Sequence, residues 1–379
     1  MKKLLFICPR NPFSGRYSGD VIRAKKFVEF LKKKYKITVI TSENNYLSRK
    51  VNNINLINFK EENLFFKIIF IIFSILKLRP LTIGYFYSRK LNKYVEKNIN
   101  NFDIVFCQTI RVAQYVFNSN IKKKILDMGD LYSNNYHQTY KVKSFFNPSK
   151  FVYLIESFFI KKFEGKCFDK FDKIFLFSKK EIRSLNFKKR KIHQINFGID
   201  NIKKKFRFDN NNNKIVFIGN IKYLPNKIAC ENFIKNIFPE IKKIHRDIQF
   251  HIIGEISKLN RLLWKKDNSV IIHGKVKKID SLLSKAFCGL ANLNVASGIQ
   301  TKLLTYMSYG IPAIASKQVI DNFDAISSSC LPTYKNNKEL IKLILKLKNN
   351  KNFSKSISMK SLNVIKKFKW DNVLKELKI

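Results

Sequence analysis

The sequence predicts an α/β fold with two Rossmann-like, doubly wound parallel-sheet domains. Residues 214–316 alternate four short apolar runs with segments of helical period, and glycine or another small residue follows nearly every run. This order is typical of a parallel sheet with crossover helices. Residues 1–200 show a similar alternation, and a length of 379 residues suits about two domains.

The first half opens with a strand, a glycine-bearing loop and an amphipathic helix, over Lys3–Cys8, Pro9–Gly19 and Asp20–Lys34. Asp20 is placed as the N-cap of that helix. The loop has no G-x-G-x-x-G pattern, so the dinucleotide-binding fingerprint is absent. Further strands are predicted over Ile37–Thr41, Ile54–Phe59, Ile104–Cys107, Lys124–Asp127, Lys173–Phe177 and Ile192–Asn196, and helices over Leu64–Leu78, Arg89–Ile99, Ala113–Asn118, Phe151–Phe168 and Lys179–Leu185.

A polar, asparagine-rich segment at residues 201–213 is interpreted as a linker. It places the first domain at residues 1–200 and the second at residues 214–368. A cleft between two such halves is the default site for a ligand. The apolar runs of the second half are Ile215–Ile218, Phe250–Ile253, Val270–Ile272 and Ala313–Ala315, and its last helices are predicted over Asn337–Lys348, Ser354–Phe368 and Asp371–Leu377.

The chain carries 74 lysine and arginine residues against 27 aspartate and glutamate residues, a formal net charge of +47. Such a charge is compatible with nucleic-acid binding. However, the lysines are spread over every segment, and no RNA-binding signature or zinc-finger spacing accompanies them. We therefore favour an A/T-rich coding composition, with attraction to an anionic membrane or substrate, over nucleic-acid binding.

The apolar residues and cysteines bear on the cellular location. Six scattered cysteines form no C-x-x-C pair, which predicts buried free thiols and a reducing cytoplasm. The longest apolar run, Ile68–Leu76, is too short to span a membrane, so the chain is expected to be soluble. The segment Leu64–Leu78 is apolar nearly all round. Two interpretations stay open for it, packing in the core and partial insertion into a membrane interface.

Two glycine-bearing loops are candidates for phosphate or sugar contacts. Gly298 precedes a helix that carries Lys302 and Thr305, where a ligand would meet the helix N-terminus. Gly15 and Gly19 flank the start of the first helix, where backbone amides could approach an acceptor or a phosphate. The alternative for both is an ordinary strand-to-helix loop.

A third loop follows Gly219 and carries Lys222 and Asn226. A lysine near a diphosphate would stabilise both the ground state and the leaving group. The alternative is a solvated surface lysine. His273 follows another predicted strand and could touch a base or a phosphate, or be a structural histidine.

Several fragments in order carry a resemblance to a known family. They are PRNPFSGRYSGDVIRAKKFVEFL, KLRPLTIGYFYSRKL, NFGID, VFIGNIKYLPN, HGKV, ASGIQTKLL and the tail FKWDNVL. Together they resemble family-4 glycosyltransferases of the GT-B fold, in particular sugar transferases of exopolysaccharide and exosortase systems. The resemblance implies that residues 369–379 form a final helix that crosses back to the first domain.

The resemblance also implies a site. The second half would hold a nucleotide-sugar donor, and the first half an acceptor. Catalysis would be retaining, with no metal and no cofactor, the leaving phosphate serving as the base. The family usually has two donor-binding glutamates in an E-x7-E pattern, but this chain has Ser297 and Thr305 there. Gly298, Ile299 and Gln300 still suit a cradle of backbone amides.

Other site residues are assigned with the same resemblance. Asn220 stands where family members have an arginine, which leaves Lys222 as a basic substitute. Asp127 and Asp130 end a predicted strand and would bind the acceptor hydroxyl, or lie in a solvated loop. Arg23, one helical turn after Asp20, either points into the cleft or pairs with that carboxylate.

The paired glutamates Glu156 and Glu164 are eight residues apart and share one helical face. We interpret them as structural partners of arginine or lysine side chains.

The predicted function is the transfer of a sugar from a nucleotide-sugar to a glycan or lipid-linked acceptor, in surface polysaccharide synthesis. The predicted location is the cytoplasm, with peripheral contact at the inner face of an anionic membrane. The alternative is a catalytically degenerate GT-B subunit that binds a nucleotide or glycan within a biosynthetic complex.

Overall fold

The computed structural model describes residues 1–15, 18–43, 47–185, 191–296, 298–323 and 330–379. The chain forms two compact units. The first contains Met1–Asn196 together with Leu374–Ile379, and the second contains Phe197–Val373.

The first unit is built on an eight-stranded sheet in which all neighbours are parallel except one antiparallel edge pair. The spatial order is β3-β4-β2-β1-β5-β6-β7-β8. Stacked and edge-on phenylalanines at Phe6, Phe27 and Phe106 fill one face of this sheet. The strands are β1 Lys3–Ile7, β2 Lys36–Ser42, β3 Leu47–Val51, β4 Ile54–Phe59, β5 Ile104–Gln108, β6 Lys123–Gly129, β7 Lys173–Leu176 and β8 Ile192–Gln194.

Helices connect these parallel strands, as crossover connections require. The helices are α1 Gly19–Leu31, α2 Leu64–Leu76, α3 Leu81–Tyr85, α4 Arg89–Asn98, α5 Tyr132–Val142, α6 Ser149–Lys170 and α7 Lys179–Ser184, with 3₁₀ turns at Ile99–Asn101 and Ile110–Val116.

The second unit has a six-stranded parallel sheet in the order β11-β10-β9-β12-β13-β14. Its strands are β9 Lys214–Ile218, β10 Gln249–Ile253, β11 Val270–Gly274, β12 Ala286–Ala291, β13 Ala313–Ser316 and β14 Thr333–Tyr334. Its helices are α8 Leu224–Asn236, α9 Phe238–Ile244, α10 Lys258–Trp264, α11 Thr301–Tyr309, α12 Lys317–Ile320, α13 Asn337–Asn349 and α14 Lys351–Ile365, with a 3₁₀ turn at Lys366–Phe368. The last helix, α15 Trp370–Lys375, begins in the second unit and ends in the first.

The predicted fold class is confirmed, since both units are parallel-sheet α/β domains. The sequence missed the strands β3, β12 and β14. β12 reads AFCGLA, and its small residues lack the branched apolar run that marks its neighbours. All six cysteines are free and buried, as predicted.

Three local predictions need correction. The polar segment at residues 201–213 lies within the second unit, because the amides of Lys203 and Phe206 donate to the carbonyls of Ser308 and Tyr309. Ser18, not Asp20, is the N-cap residue of α1. The 3₁₀ turn Ile110–Val116 replaces the helix predicted at Ala113–Asn118.

The core-packing interpretation of the apolar segment Leu64–Leu78 is also wrong. Only Ser74 is buried in α2, and the side chains of Leu64 and Leu76 are 69% and 72% exposed. The helix therefore presents most of its apolar side chains outward.

Glu156 and Glu164 are structural, but their partners are not arginine or lysine. The carboxylate of Glu156 accepts hydrogen bonds from the amides of Leu81 and Thr82 at 2.8 and 2.9 Å. The carboxylate of Glu164 accepts from the Ser133 amide at 3.0 Å and from its hydroxyl. Each glutamate of α6 thus satisfies the free amides at the start of another helix, α3 or α5.

Replacing Glu164 by alanine is expected to lower the free energy of unfolding by about 1–3 kcal/mol, because the buried Ser133 amide loses its acceptor. Glutamine keeps one acceptor oxygen and should recover part of this loss. Chemical denaturation would measure both effects. The matched control is Lys162→Ala on the exposed side of the same helix, and an equal loss in that variant would contradict the capping role.

Candidate functional site

Each sheet has one point where the strand order reverses direction. In the first unit it lies between β1 and β5, and in the second between β9 and β12. Ligands of doubly wound sheets bind outside the carboxyl ends of the strands at such switch points. The loops after these four strands are therefore the places where a site is expected.

The turn after β9 is tightly fixed in the second unit. The Gly219 amide donates to the Ile253 carbonyl at 2.9 Å, and the Asn226 side-chain amide donates to the Asn220 carbonyl at 2.8 Å. Gly254 has a φ of +146°, and a Cβ there would lie 1.8 Å from the Gly219 carbonyl oxygen. Only glycine permits this approach, which holds the ends of β9 and β10 together.

Lys302 lies on α11, which follows β12, and its side chain contacts this turn. Its Nζ donates to Asn226 Oδ1 at 2.7 Å and lies 4.0 Å from the centre of the Phe217 ring. The side chain is buried, and this burial lowers the pKa of Lys302 from 10.5 to about 7. Both contacts are with uncharged groups. A buried ammonium in such surroundings is stabilised by an arriving anion.

The loop before α11 carries the other donor-side candidates. Gly298 has a φ of +58°, and α11 begins at Thr301 with Gln300 as its N-cap residue. The Thr305 hydroxyl is partly exposed and donates to the Thr301 carbonyl at 3.1 Å, so its oxygen can still accept a hydrogen bond. Ile299, in the same loop, is buried.

A buried ion pair lies at the switch point of the first unit. Arg23 donates from Nε and Nη2 to the two carboxylate oxygens of Asp127, each at 2.8 Å. Its other donors reach the carbonyls of Asn196 at 2.7 Å and Ile195 at 3.3 Å. The pair fixes α1, β6 and the segment after β8 relative to each other.

Asp130 lies immediately after β6 and differs from Asp127 in its contacts. Burial raises the pKa of Asp130, the Arg23 guanidinium lowers it, and Asp127 raises it further. Its Oδ1 is buried and has no hydrogen-bond partner among the described residues. A buried carboxyl with an open oxygen is suited to accept a hydrogen bond from a ligand hydroxyl.

Three further buried hydroxyls at this edge lack partners within the part of the chain that the structure describes. They are Ser18 Oγ, at the start of α1, Thr41 Oγ1, near the end of β2, and Thr109 Oγ1, directly after β5. Thr109 has a φ of +70°, which is strained for a β-branched residue, and its amide donates to the Asp127 carbonyl at 2.8 Å. Strain and open polar atoms at a switch point indicate a polar ligand site.

Comparison with known proteins gives the family context. Residues 212–350 match the family model described as Glycosyl transferases group 1. Sucrose-phosphate synthase from Thermosynechococcus elongatus aligns over 100% of this chain and 97% of its own, with 11% identity and a TM-score of 0.72. The chain has the GT-B fold. Two further structures, Anabaena HepE in complex with UDP and glucose and TarM, each align over 100% of this chain and 98% of theirs, with 12% identity and a TM-score of 0.67.

No curated protein matches the chain in sequence. The group 1 match covers most of the second unit, which holds Lys302 and the β9 turn. Together, the GT-B fold and the family match support a glycosyltransferase.

The structure shows which contacts the predicted site residues of the first unit make. Arg23 does not pair with Asp20, because it pairs with Asp127, whereas Asp20 pairs with Arg10 at 2.8 Å. The alternative of a solvated loop is wrong for Asp127, whose oxygens are buried against the Arg23 guanidinium. Gly15 has a φ of +72° and Gly19 is the first residue of α1.

On the donor side, Lys222 is exposed and pairs with Glu255 at 2.6 Å. The amide of Lys222 donates to Asn220 Oδ1 at 3.0 Å. Ser297 lies outside the described residues.

His273 forms a ring-nitrogen hydrogen bond of 2.9 Å with His251. Burial lowers the pKa of both rings, to about 4 for His251. This pairing favours the structural alternative for His273. His251 was missed because it lies inside the apolar run FHII, which indicates only a buried strand.

Proposed function

We propose that the chain transfers a sugar from a nucleotide-sugar donor to a glycan or lipid-linked acceptor in surface polysaccharide biosynthesis. Retention of configuration and independence of metal belong to this proposal. The observation that carries it is the buried Lys302 ammonium, which lies at a switch point and contacts the uncharged Asn226 oxygen and Phe217 ring. A donor diphosphate supplies the charge that this ammonium lacks.

Donor binding is proposed for the second unit. The solved HepE structures contain UDP, UDP with glucose, and UDP-glucose, which makes uridine donors the first to test. The Gly298–Gln300 backbone and the Thr305 oxygen would contact the sugar and ribose in place of the absent glutamates. Lys302 would bind the diphosphate and stabilise it as a leaving group.

Acceptor binding is proposed for the first unit. Asp130 Oδ1 and the Thr109 hydroxyl provide open polar atoms next to each other in the sheet order, after β6 and β5. Asp130 would accept a hydrogen bond from the attacking hydroxyl and orient it. The leaving phosphate would take the proton, so no side-chain nucleophile is required.

The proposal is tested by incubating the chain with a panel of nucleotide sugars and measuring nucleoside diphosphate release, with and without glycan and lipid-linked acceptors. Asp130→Asn is expected to lower acceptor-dependent release by about tenfold or more, because orientation of the acceptor is lost. Donor-induced thermal stabilisation should be unchanged.

The matched control is Asp209→Asn, which alters an exposed aspartate of the second unit. Acceptor-dependent release at the wild-type rate in Asp130→Asn would remove Asp130 from the reaction. If no donor gives nucleoside diphosphate release and none produces a thermal shift, the proposed enzymatic activity is rejected.

A degenerate binding subunit is the second candidate, and it is favoured by one observation. Neither Ser297 nor Thr305 supplies the carboxylate that the resembling family uses at these positions. A subunit of this kind would show donor-induced stabilisation without nucleoside diphosphate release.

A further inference from the structure

A large apolar surface covers α2 and the beginning of α6 in the first unit. On α2, seven apolar side chains are between 48% and 72% exposed. The next exposed group is on α6 and in the loop before it. The apolar face consists of Leu64, Phe65, Ile68, Ile72, Phe73, Ile75 and Leu76 on α2, and of Phe145, Phe146, Phe151, Val152, Leu154, Ile155 and Phe158.

The orientation of α2 is fixed by its inner side. A Cβ on Gly84 of α3 would lie 2.4 Å from the Phe70 carbonyl oxygen, so α2 contacts the backbone of α3 directly. Phe70 packs against Tyr87 with ring centres 4.9 Å apart, and the Arg89 guanidinium lies 3.7 Å from the Phe66 ring centre. The exposed apolar side is therefore the outer side of a packed helix.

The two halves of the apolar face belong to one surface. Glu156 of α6 accepts from the Leu81 and Thr82 amides, which joins α6 to the helix beneath α2. An open cavity of about 330 Å³ lies between α2, α3, α5 and α6, with Ile71, Tyr85 and Val152 among its lining residues. Ile71 belongs to α2 and Val152 to α6, so the cavity connects the two exposed groups.

The charges around this surface are mostly basic, apart from Glu61 and Glu62 just before α2, which pair with Lys67 and Arg89. Residues 64–93 contain six basic residues and no acidic residue, and residues 141–166 contain six basic and two acidic residues. The two acidic residues, Glu156 and Glu164, are buried and cap helices. Lys77 and Arg79 at the end of α2, and Lys161 and Lys162 on α6, are exposed.

We propose that the apolar face docks on an anionic lipid bilayer. The apolar side chains enter the boundary between headgroups and acyl chains, the lysines and arginines bind anionic headgroups, and the cavity takes part of an acyl chain. None of the helices in the described ranges combines the length and apolarity that a membrane crossing requires. A second copy of the chain is disfavoured as the occupant, because two faces rich in lysine and arginine repel each other.

Co-sedimentation of the full chain with vesicles tests the proposal. Binding is expected to vesicles that contain phosphatidylglycerol, and to be weaker to pure phosphatidylcholine and at high salt. The double variant Ile72→Asp and Phe158→Asp should lower the vesicle partition coefficient by at least about tenfold, because two apolar anchors are lost. Both positions are exposed, and thermal unfolding verifies that the variant is folded.

Met359→Asp is the matched control, since Met359 is an exposed apolar residue on α14, in the second unit. It should bind vesicles as the wild type does. Equal vesicle binding by the double variant would overturn the proposal. A wild-type dimer that becomes monomeric in the double variant, with no vesicle binding by either, would assign the face to a second copy instead. Vesicle binding needs no donor or acceptor, so its failure would leave the proposed sugar transfer intact.

Discussion

Replacing Arg23 by alanine is expected to lower the free energy of unfolding of the first unit by about 3–5 kcal/mol. The Arg23 side chain is 3% exposed and that of Asp127 is 2% exposed. Without the guanidinium, the Asp127 carboxylate stays buried and loses both hydrogen bonds, and the Asn196 and Ile195 carbonyls lose a donor. A charge left unpaired in the interior is among the largest single losses that a substitution causes.

The two units allow an internal control for this experiment. Both tryptophans, Trp264 and Trp370, belong to the second unit, so tryptophan fluorescence follows that unit in urea. Hydrogen exchange of β6 amides follows the first unit. The β6 amides should lose protection in Arg23→Ala, while the fluorescence transition stays near its wild-type midpoint.

Arg23→Lys and a double substitution separate charge from geometry. Lysine keeps the charge but cannot form two parallel hydrogen bonds to one carboxylate, so an intermediate loss is expected. Arg23→Met combined with Asp127→Leu should be less destabilised than either single variant, because no charge remains buried. A loss below about 1 kcal/mol in Arg23→Ala would contradict the structural role of the pair.

The strands and helices of this fold were predictable where the local sequence carries a clear apolar pattern. Apolar runs such as Ile215–Ile218 and Phe250–Ile253 coincide closely with β9 and β10, because a buried parallel strand needs branched apolar residues on both faces. β12 has no such run, since its residues are mostly small. It was therefore missed, although it forms one side of the switch point in the second unit.

Contacts between distant residues were not predictable in the same way. Arg23 and Asp127 are 104 residues apart, and Lys302 and Asn226 are 76 apart. The sequence identified all four as site residues, but their pairing depends on the strand order. The partners of Glu156 and Glu164 include backbone amides, which no side-chain pattern marks.

Lys302→Met is expected to have opposite effects on stability and on donor binding. Burial lowers the pKa of Lys302 to about 7 in the folded chain, against 10.5 when it is solvated. Between these values the unfolded chain holds more protons, so the free energy of unfolding rises with pH by up to about 1.4 kcal/mol per pH unit. Below pH 7, Lys302 is protonated in both the folded and the unfolded chain, so the folded chain bears the full free-energy cost of burying the charge.

Methionine removes that cost but leaves Asn226 Oδ1 without a donor, a loss of about 1–3 kcal/mol. The net expectation at pH 6 is a gain in stability of about 1–3 kcal/mol, because burying the ammonium costs more than the hydrogen bond to Asn226 contributes. Because the wild type gains up to about 1.4 kcal/mol per pH unit above pH 7, the stability advantage of the variant should shrink and then reverse between pH 7 and pH 10. Urea denaturation at several pH values measures it.

Donor binding provides the second measurement for the same variant. If the diphosphate pairs with Lys302, the anion raises the pKa of Lys302, and UDP binding at pH 8 takes up close to one proton. Calorimetry in buffers of different ionisation enthalpy detects this uptake. In Lys302→Met the proton uptake should vanish and UDP affinity should fall by about tenfold or more.

Lys222→Met is the matched control, because Lys222 is exposed and paired with Glu255. It should leave both the pH dependence of stability and the proton uptake unchanged. Equal proton uptake by Lys302→Met and the wild type would place the diphosphate away from Lys302. If the expected results are obtained, Lys302 destabilises the donor-free chain and gains a counter-charge only when a ligand binds. Because folding alone would favour methionine at this position, the lysine is explained by a role in binding.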